Sequence, residues 1–347
     1  MSDTVYACLL VDDPPVNATY WARLQQEAFG FVPSETGWGR NWKALAPAPL
    51  LRTQDAAGFA DLVEEFGLRG KFSFVPCPGG LGRVDRAVRG YTAEELRELL
   101  VIVRERLAPR FDLTPEVLTH TLAHDAESGA LFPHAESYWL THLCCTHQMD
   151  ALKNYLRQAY AILRNVGLAP HGVTIGGMRD VSGIAEGKSL ADGDGRVVLA
   201  QALLAVENEF TPGVSTTFAF AGTPPVGSAG MERRVPEAFY RSAQGARVFA
   251  LYPINEDVLF DVLHGPCGHE DQIADALITA DLLHGRFVED AEAGRPVVFA
   301  IHSQTLAAMN SGVGLKILRE VLRRFRERYG HRIRWLTAHE LCVTLGE

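Results

Sequence analysis

The sequence predicts an α/β fold in which parallel strands close into a single barrel of seven or eight strand–helix units. Short apolar runs rich in β-branched and aromatic residues alternate along the chain with longer segments of helical periodicity. Strands that alternate with helices are parallel, because each connection crosses back over the sheet. No glycine-rich phosphate turn follows the first strand, which favours a barrel over an open dinucleotide-binding sheet.

The expected elements follow from these patterns. Eight segments read as strands: residues 5–11, 71–75, 117–121, 172–175, 215–220, 247–252, 296–302 and 333–337. Helices are predicted between several of them, over residues 92–107, 150–166, 272–283 and 315–329. The first of these helices opens on a capping box, Thr-Ala-Glu-Glu, and the second and fourth end at a glycine.

The whole chain, residues 1–347, is expected to form one catalytic barrel domain. Its length would allow two or three domains, but barrels of this size are commonly one domain and no linker-like segment interrupts the pattern. Four long rim loops are predicted, most of them marked by glycine or proline. They cover about residues 30–49, 79–90, 125–147 and 222–230.

Charge and hydropathy limit the partners. The formal net charge is −9, and the densest arginine run, within residues 319–328, is interleaved with acids at helical spacing, so we expect no nucleic-acid partner. The sequence contains no run of 18 apolar residues, so we expect no membrane span. The first residues lack the basic region of a signal peptide and cysteines are few, which predicts a cytoplasmic protein. A homo-oligomer is compatible with the sequence.

Polar side chains stand at the ends of three predicted strands. Asp12 and Asp13 follow the first strand, His120 and His124 occur at the end of the third, and His302 ends the seventh. Barrel enzymes gather their catalytic side chains from the C-terminal ends of several strands. We therefore expect these five residues on one face of the barrel.

The two histidines have the spacing of metal ligands. A His-x3-His spacing puts both imidazoles on one face of a helical turn, where they can share a cation. Two imidazoles and one carboxylate leave a coordination position open, the pattern of catalytic metal sites. Each piece alone has a plainer interpretation, since Asp before Pro14 is a common turn former and most isolated histidine pairs bind nothing.

Together these pieces resemble the polysaccharide deacetylase family, the NodB-like carbohydrate esterases. The adjacent aspartates of that family match Asp12 and Asp13, its His-[Ser/Thr]-x-x-His motif matches the segment from His120 to His124, and its late strand ending in histidine matches His302. Residues 71–75 resemble its second strand. The resemblance covers nearly the whole chain and implies a (β/α)7-type barrel.

The resemblance also implies roles for these residues. Asp13, His120 and His124 would hold one divalent transition metal, with zinc expected first and iron, cobalt, nickel or manganese as alternatives. Asp12 would be the general base and His302 the general acid. Arg179 stands nearest to the place of the arginine that orients the base. The implied activity is hydrolysis of an acyl amide or ester on a carbohydrate or small metabolite.

Two other functions fit parts of the sequence. A barrel glycosidase would pair Asp12 with Glu256 or Asp257 and need no metal. A non-catalytic relative would keep the barrel and bind a sugar or a partner protein, an alternative suggested by Pro14 and Ala123, which depart from the family motifs. The histidine- and cysteine-containing segments at 142–147 and 264–269 have no role that the sequence assigns.

Overall fold

The structure is a computed structural model that describes residues 4–16, 50–125, 127–175, 194–220, 235–251, 270–306 and 312–346. Its strands are β1 (Val5–Asp12), β2 (Gly70–Phe74), β3 (Gly82–Arg83), β4 (Ala87–Val88), β5 (Phe111–Pro115), β6 (Leu122–His124), β7 (Leu131–Ala135), β8 (Val173–Thr174), β9 (Thr216–Phe220), β10 (Glu237–Arg241), β11 (Arg247–Ala250), β12 (Val297–His302) and β13 (Ile333–Trp335). Its helices are α1 (Thr53–Phe66), α2 (Ala93–Ile102), α3 (Glu136–Cys145), α4 (Met149–Asn165), α5 (Asp194–Phe210), α6 (Glu270–Leu277), α7 (Arg286–Glu292), α8 (Ser303–Leu306), α9 (Val313–Tyr329) and α10 (Ala338–Leu345).

A parallel sheet forms around β1. It has the order β12–β1–β2–β5, and β13 also pairs with β1. The β1 pairings with β12, β2 and β13 are all parallel. Seven of the eight residues of β1 are buried, which explains the unbroken apolar run in its sequence, because a strand covered on both faces needs no polar alternation. The prediction of a mixed α/β fold with parallel strands is confirmed, and barrel closure stays a prediction.

The chain divides into two compact units. The first comprises Met1–Phe72, Arg97–Phe111 and Pro253–Thr337, and the second comprises Ser73–Leu96, Asp112–Tyr252 and Ala338–Glu347. Each unit therefore draws on distant parts of the sequence. Within the described part of the chain, no helix is both long and apolar enough to cross a membrane.

Aromatic rings fill the core of the first unit. Phe72 of β2 stacks against Phe59 of α1 with ring centroids 6.1 Å apart. On β12, Phe299 lies 4.8 Å from Phe287 of α7 and 6.3 Å from Trp335 of β13. Offset and edge-on contacts of this kind add to the free energy gained from burying the rings.

The second unit contains a four-stranded sheet of order β10–β11–β9–β8. The strands β8, β9 and β11 pair in parallel, and β10 is an antiparallel edge strand. Isolated parallel bridges join Leu113 to Pro170 and Glu116 to Thr174, so the end of β5 runs beside the start of β8. The helices α4 and α5 pack against each other.

The third predicted strand, residues 117–121, is wrong. The strand lies earlier, at β5, and an irregular segment connects it to β6. Asp112 and Pro115 interrupt the apolar run of β5 and conceal it in the sequence. The residues after it are apolar and β-branched, yet the N–H groups of Leu118 and Thr119 bond to a side chain instead of a neighbouring strand.

Two of the four predicted rim loops fall on residues that the structure describes. The segment 125–147 is not a loop, because β7 and α3 occupy its second half. The segment 79–90 includes the antiparallel hairpin of β3 and β4. The segments 30–49 and 222–230 lie outside the described residues. The remaining seven predicted strands correspond to β1, β2, β8, β9, β11, β12 and β13, with small shifts at their ends.

Gly70 tests the contact between β1 and β2. A Cβ on Gly70 would lie 1.7 Å from the carbonyl oxygen of Leu9, whereas a Cβ on Gly58 of α1 would lie 3.4 Å from its nearest neighbour. Gly70→Ala should therefore destabilise the protein by about 3 kcal/mol or more, measured by urea unfolding. The matched variant Gly58→Ala should be neutral or stabilising by up to about 1 kcal/mol, since alanine favours a helix. Equal stability of the two variants would contradict this packing.

Candidate metal centre

A buried ion pair joins β1 to β2 in the first unit. Nζ of Lys71 donates to Oδ1 of Asp12, the last residue of β1. Lys71 is fully buried and Asp12 is 3 % exposed. Burying either charge is costly unless a partner compensates it, so the two side chains stabilise each other in place. Lys71 was missed in the sequence, where a single lysine inside a buried strand was the available signal.

The two predicted proton carriers are strand neighbours. Asp12 of β1 and His302 of β12 are direct partners in the parallel pairing. Residues paired in this way are separated by about 4.8 Å and extend to the same face of the sheet. The prediction that Asp12 and His302 share one end of the sheet thus agrees with the strand register. Arg179, the predicted orienting residue, lies outside the described residues.

A buried carboxylate in the second unit shapes the segment that carries His120. Oε1 of Glu136 accepts hydrogen bonds from the backbone N–H groups of Leu118 (3.0 Å) and Thr119 (2.8 Å), and Oε2 accepts one from His120 (2.6 Å). The hydroxyl of Tyr155 donates to Oε1 at 2.6 Å. Burial raises the pKa of Glu136 above 4.5, and these four donors offset only part of that rise. One side chain of α3 therefore replaces the backbone partners that a strand would supply.

His120 sits in a bend instead of a helical turn. Its φ is +61°, a left-handed conformation that is uncommon outside glycine, so the expected helical turn from His120 to His124 is wrong. Its ring Nδ1 lies 3.0 Å from Oε1 of Glu116, and the Glu116 side chain is 1 % exposed. The Glu136 hydrogen bonds hold the backbone in the shape that brings this imidazole to Glu116.

His124 lies in a different setting. It belongs to β6, where it pairs with Leu131 of β7 in an antiparallel hairpin. Burial lowers its pKa below 6.5. Its Nδ1 is buried and has no hydrogen-bond partner in the part of the chain that the structure describes. A neutral imidazole of this kind could serve as a ligand, and its predicted role as one stays a prediction.

Within the described part of the second unit, Glu116 and His120 could contribute to a metal site. Nδ1 of His120 lies 3.0 Å from Oε1 of Glu116, and His124 is not grouped with them. A carboxylate and an imidazole suit zinc, iron and manganese and leave further coordination positions open. Asp13 and His120 were predicted from the sequence. Glu116 was missed, although its spacing four residues before His120 was a usable signal.

Two of the ligands predicted from the sequence have strained backbones. Asp13 has a φ of +75° and His120 a φ of +61°. Non-glycine residues rarely adopt this left-handed conformation, and it costs about 1 kcal/mol or more where it occurs. Such strain concentrates at functional sites, where the position of a side chain matters more than the stability of its own residue.

The histidine- and cysteine-containing segment 142–147 begins within the helix α3. His142 and Cys144 lie in α3, where the ring of His142 stacks on Trp139 with centroids 5.8 Å apart. Burial raises the pKa of the Cys144 thiol, which disfavours the thiolate that a metal binds. The segment 264–269 lies outside the described residues.

Glu136 can be tested by an isosteric variant. Glu136→Gln should destabilise the protein by about 3 kcal/mol, because the side-chain NH2 group of glutamine is a donor and cannot accept hydrogen bonds from the backbone N–H groups. Tyr155→Phe removes one of the four hydrogen bonds and should cost about 1 kcal/mol. Urea unfolding curves of the two variants would measure both values. A Glu136→Gln protein as stable as the native one would show that this carboxylate does not hold the segment.

The buried ion pair has its own test. Asp12→Asn should destabilise the protein by about 3 kcal/mol, since it removes the carboxylate bonded to a fully buried ammonium. Adding Lys71→Met to Asp12→Asn should restore most of that loss, because both charges are then gone. The comparison is a double-variant cycle in urea. Additive losses in the double variant would contradict a coupled pair.

The chain was also compared with known proteins. No protein-family model matches it, and no curated protein sequence does either. The likeness to polysaccharide deacetylases therefore rests on the motifs around Asp12, His120 and His302. The activity that this likeness implies stays a proposal.

Proposed function

We propose that this protein is a metal-dependent hydrolase of the deacetylase type, built on a barrel, which cleaves an acyl amide or ester on a carbohydrate or small metabolite. The observation that carries the proposal is the pairing of Glu116 with His120, whose carboxylate oxygen and ring nitrogen lie 3.0 Å apart. A carboxylate and an imidazole are both ligand types that divalent transition metals bind, which supports the proposal.

The metal would be one divalent transition ion, with zinc expected first and iron, cobalt, nickel and manganese as alternatives. Glu116 and His120 would hold it, with Asp13 as the further ligand that the sequence motif implies and without His124, which is not grouped with them. A bound cation would supply Lewis-acid polarisation of the scissile carbonyl and would lower the pKa of a water molecule. Zinc sites with three protein ligands keep a position open for substrate or water, in contrast to closed structural sites.

The chain's own proton carriers complete the proposed reaction. Asp12 accepts a proton from the attacking water at its carboxylate, and Lys71 holds that carboxylate through Oδ1. His302, the register partner of Asp12, donates a proton to the leaving nitrogen or oxygen. The position of both residues at the ends of neighbouring strands supports this division of labour.

Metal binding and hydrolysis are tested together. Purified protein should retain about one equivalent of zinc per chain after dialysis and should release acetate from an acyl amide and ester panel. His120→Ala and Glu116→Gln should each lower zinc affinity by about a hundredfold and abolish turnover. Elemental analysis and acetate release are the two measurements.

The matched control is His331→Ala. His331 is an exposed histidine in the short helical turn Gly330–Arg332 and should keep full zinc content and turnover. Native zinc content in His120→Ala would contradict the site. Zinc binding without turnover on any acyl substrate would favour the non-catalytic sugar-binding alternative. Metal-independent cleavage of glycosides would favour a glycosidase.

A further inference from the structure

A buried carboxylate network in the second unit lies outside the proposed catalytic machinery. Glu207 of α5 is 2 % exposed, and its Oε1 accepts hydrogen bonds from the hydroxyl of Tyr160 (2.8 Å) and from the N–H of Gly172. The same oxygen lies 3.4 Å from Nδ1 of His171. The Tyr160 hydroxyl also lies 2.6 Å from the carbonyl oxygen of Gly172, so its one proton is shared between two acceptors. Glu207 therefore joins α5, α4 and the segment that leads into β8.

Two imidazoles extend this network to the last helix of the chain. Nε2 of His171 lies 3.0 Å from Nδ1 of His339, the second residue of α10. Their rings meet edge to face, with centroids 4.8 Å apart and planes at 71°. The backbone N–H of His339 donates to Oδ2 of Asp112 at 2.6 Å. The first turn of α10 is thus fixed by one carboxylate and one imidazole.

The contact between the two rings requires a single proton between the two facing nitrogens, Nε2 of His171 and Nδ1 of His339. One ring must donate and the other must accept, because two bare nitrogens or two N–H groups at 3.0 Å repel each other. Nδ1 of His171 donates to Glu207, so Nε2 of a charged His171 donates to a neutral His339, and Nε2 of a neutral His171 accepts from it. When both rings are protonated, neither facing nitrogen can accept and two positive charges lie side by side.

We propose that the His171–His339 contact is an acid-sensitive latch, which holds α10 in the second unit at neutral pH and releases it when both rings are protonated. The latch belongs entirely to the second unit, and it is independent of the proposed hydrolytic activity. Release frees the helix from its hydrogen bond with His171 and weakens its packing against β9.

The charged groups around the two rings support this order of protonation. Burial lowers the pKa of His171, but the hydrogen bond and charge of Glu207 and the charge of Asp112 outweigh it, so the pKa stands above 6.5. Burial lowers the pKa of His339 below 6.5 and the charge of His171 lowers it further, against the opposing charges of Asp112, Glu207 and Glu340. The strand β9, Thr216–Phe220, contributes no charged residue.

The sign of the pH dependence follows from these directions. A histidine whose pKa is lowered on folding contributes stability above 6.5 that is lost as the pH falls through its folded pKa, which is the case of His339. A histidine whose pKa is raised contributes stability below 6.5 that is lost as the pH rises through its folded pKa, which is the case of His171. The latch is therefore strongest between the two folded values and opens on the acidic side.

Hydrogen exchange of the full chain tests the latch. We expect the amides of α10 to lose protection by about tenfold between roughly pH 7 and pH 5, after correction for the intrinsic exchange rate, while the amides of β1 keep theirs. His339→Gln should abolish this pH dependence, because its side chain does not titrate. The matched control His331→Gln, at an exposed histidine, should retain it.

A direct titration covers the case in which His339→Gln fails to hold α10 at any pH. In the native protein, nitrogen-15 spectra of the imidazoles should show His171 titrating above 6.5 and His339 below it. Both rings titrating together near the ordinary value would overturn the proposal. Protection of α10 that is unchanged by pH would do the same.

Discussion

The buried carboxylate of Glu136 is the constraint on which the candidate site depends. The segment between β5 and β6 is neither helix nor strand, so its backbone N–H groups need acceptors from elsewhere. Glu136 supplies acceptors for three consecutive N–H groups, from Leu118 to His120. The resulting backbone turns His120 into a left-handed conformation and places its imidazole at Glu116. The sequence pattern of these residues favours a strand, so we attribute their irregular backbone to the hydrogen bonds of Glu136.

Buried carboxylates elsewhere in the chain follow the same rule with different partners. Asp12 is matched by the ammonium of Lys71 in the first unit. Glu207 is matched by a tyrosine hydroxyl, a backbone N–H and the imidazole of His171 in the second unit. Each burial would be costly alone, and each is compensated by a donor that also fixes one segment relative to its neighbours. These polar contacts give the loops and strand ends a definite shape, which the apolar core alone does not specify.

The strands and helices that could be predicted from the sequence are those with a continuous apolar run or a regular apolar face. The runs of β1 and β12 are apolar throughout, and helices such as α9 have a clear apolar face, so their positions follow from periodicity. Asp13 and His120 were found because they follow such runs. Lys71 was not found, because a charged residue within a strand is explained only by its partner, here Asp12, 59 residues away in the sequence. Glu116 was not found, although it lies four residues before its partner His120. The place of β5 was hidden for a similar reason, since Asp112 and Pro115 interrupt a run that only the folded sheet completes.

The proposed metal site depends on this irregular segment, which brings the imidazole of His120 to the carboxylate of Glu116. X-ray absorption spectroscopy of the zinc-loaded protein tests it most directly, because imidazole ligands give a distinct scattering signature that carboxylates lack. We expect a spectrum fitted by a single imidazole and oxygen ligands at about 2.0–2.1 Å, unchanged in His124→Gln. A spectrum that requires two imidazoles, and that loses one in His124→Gln, would contradict it.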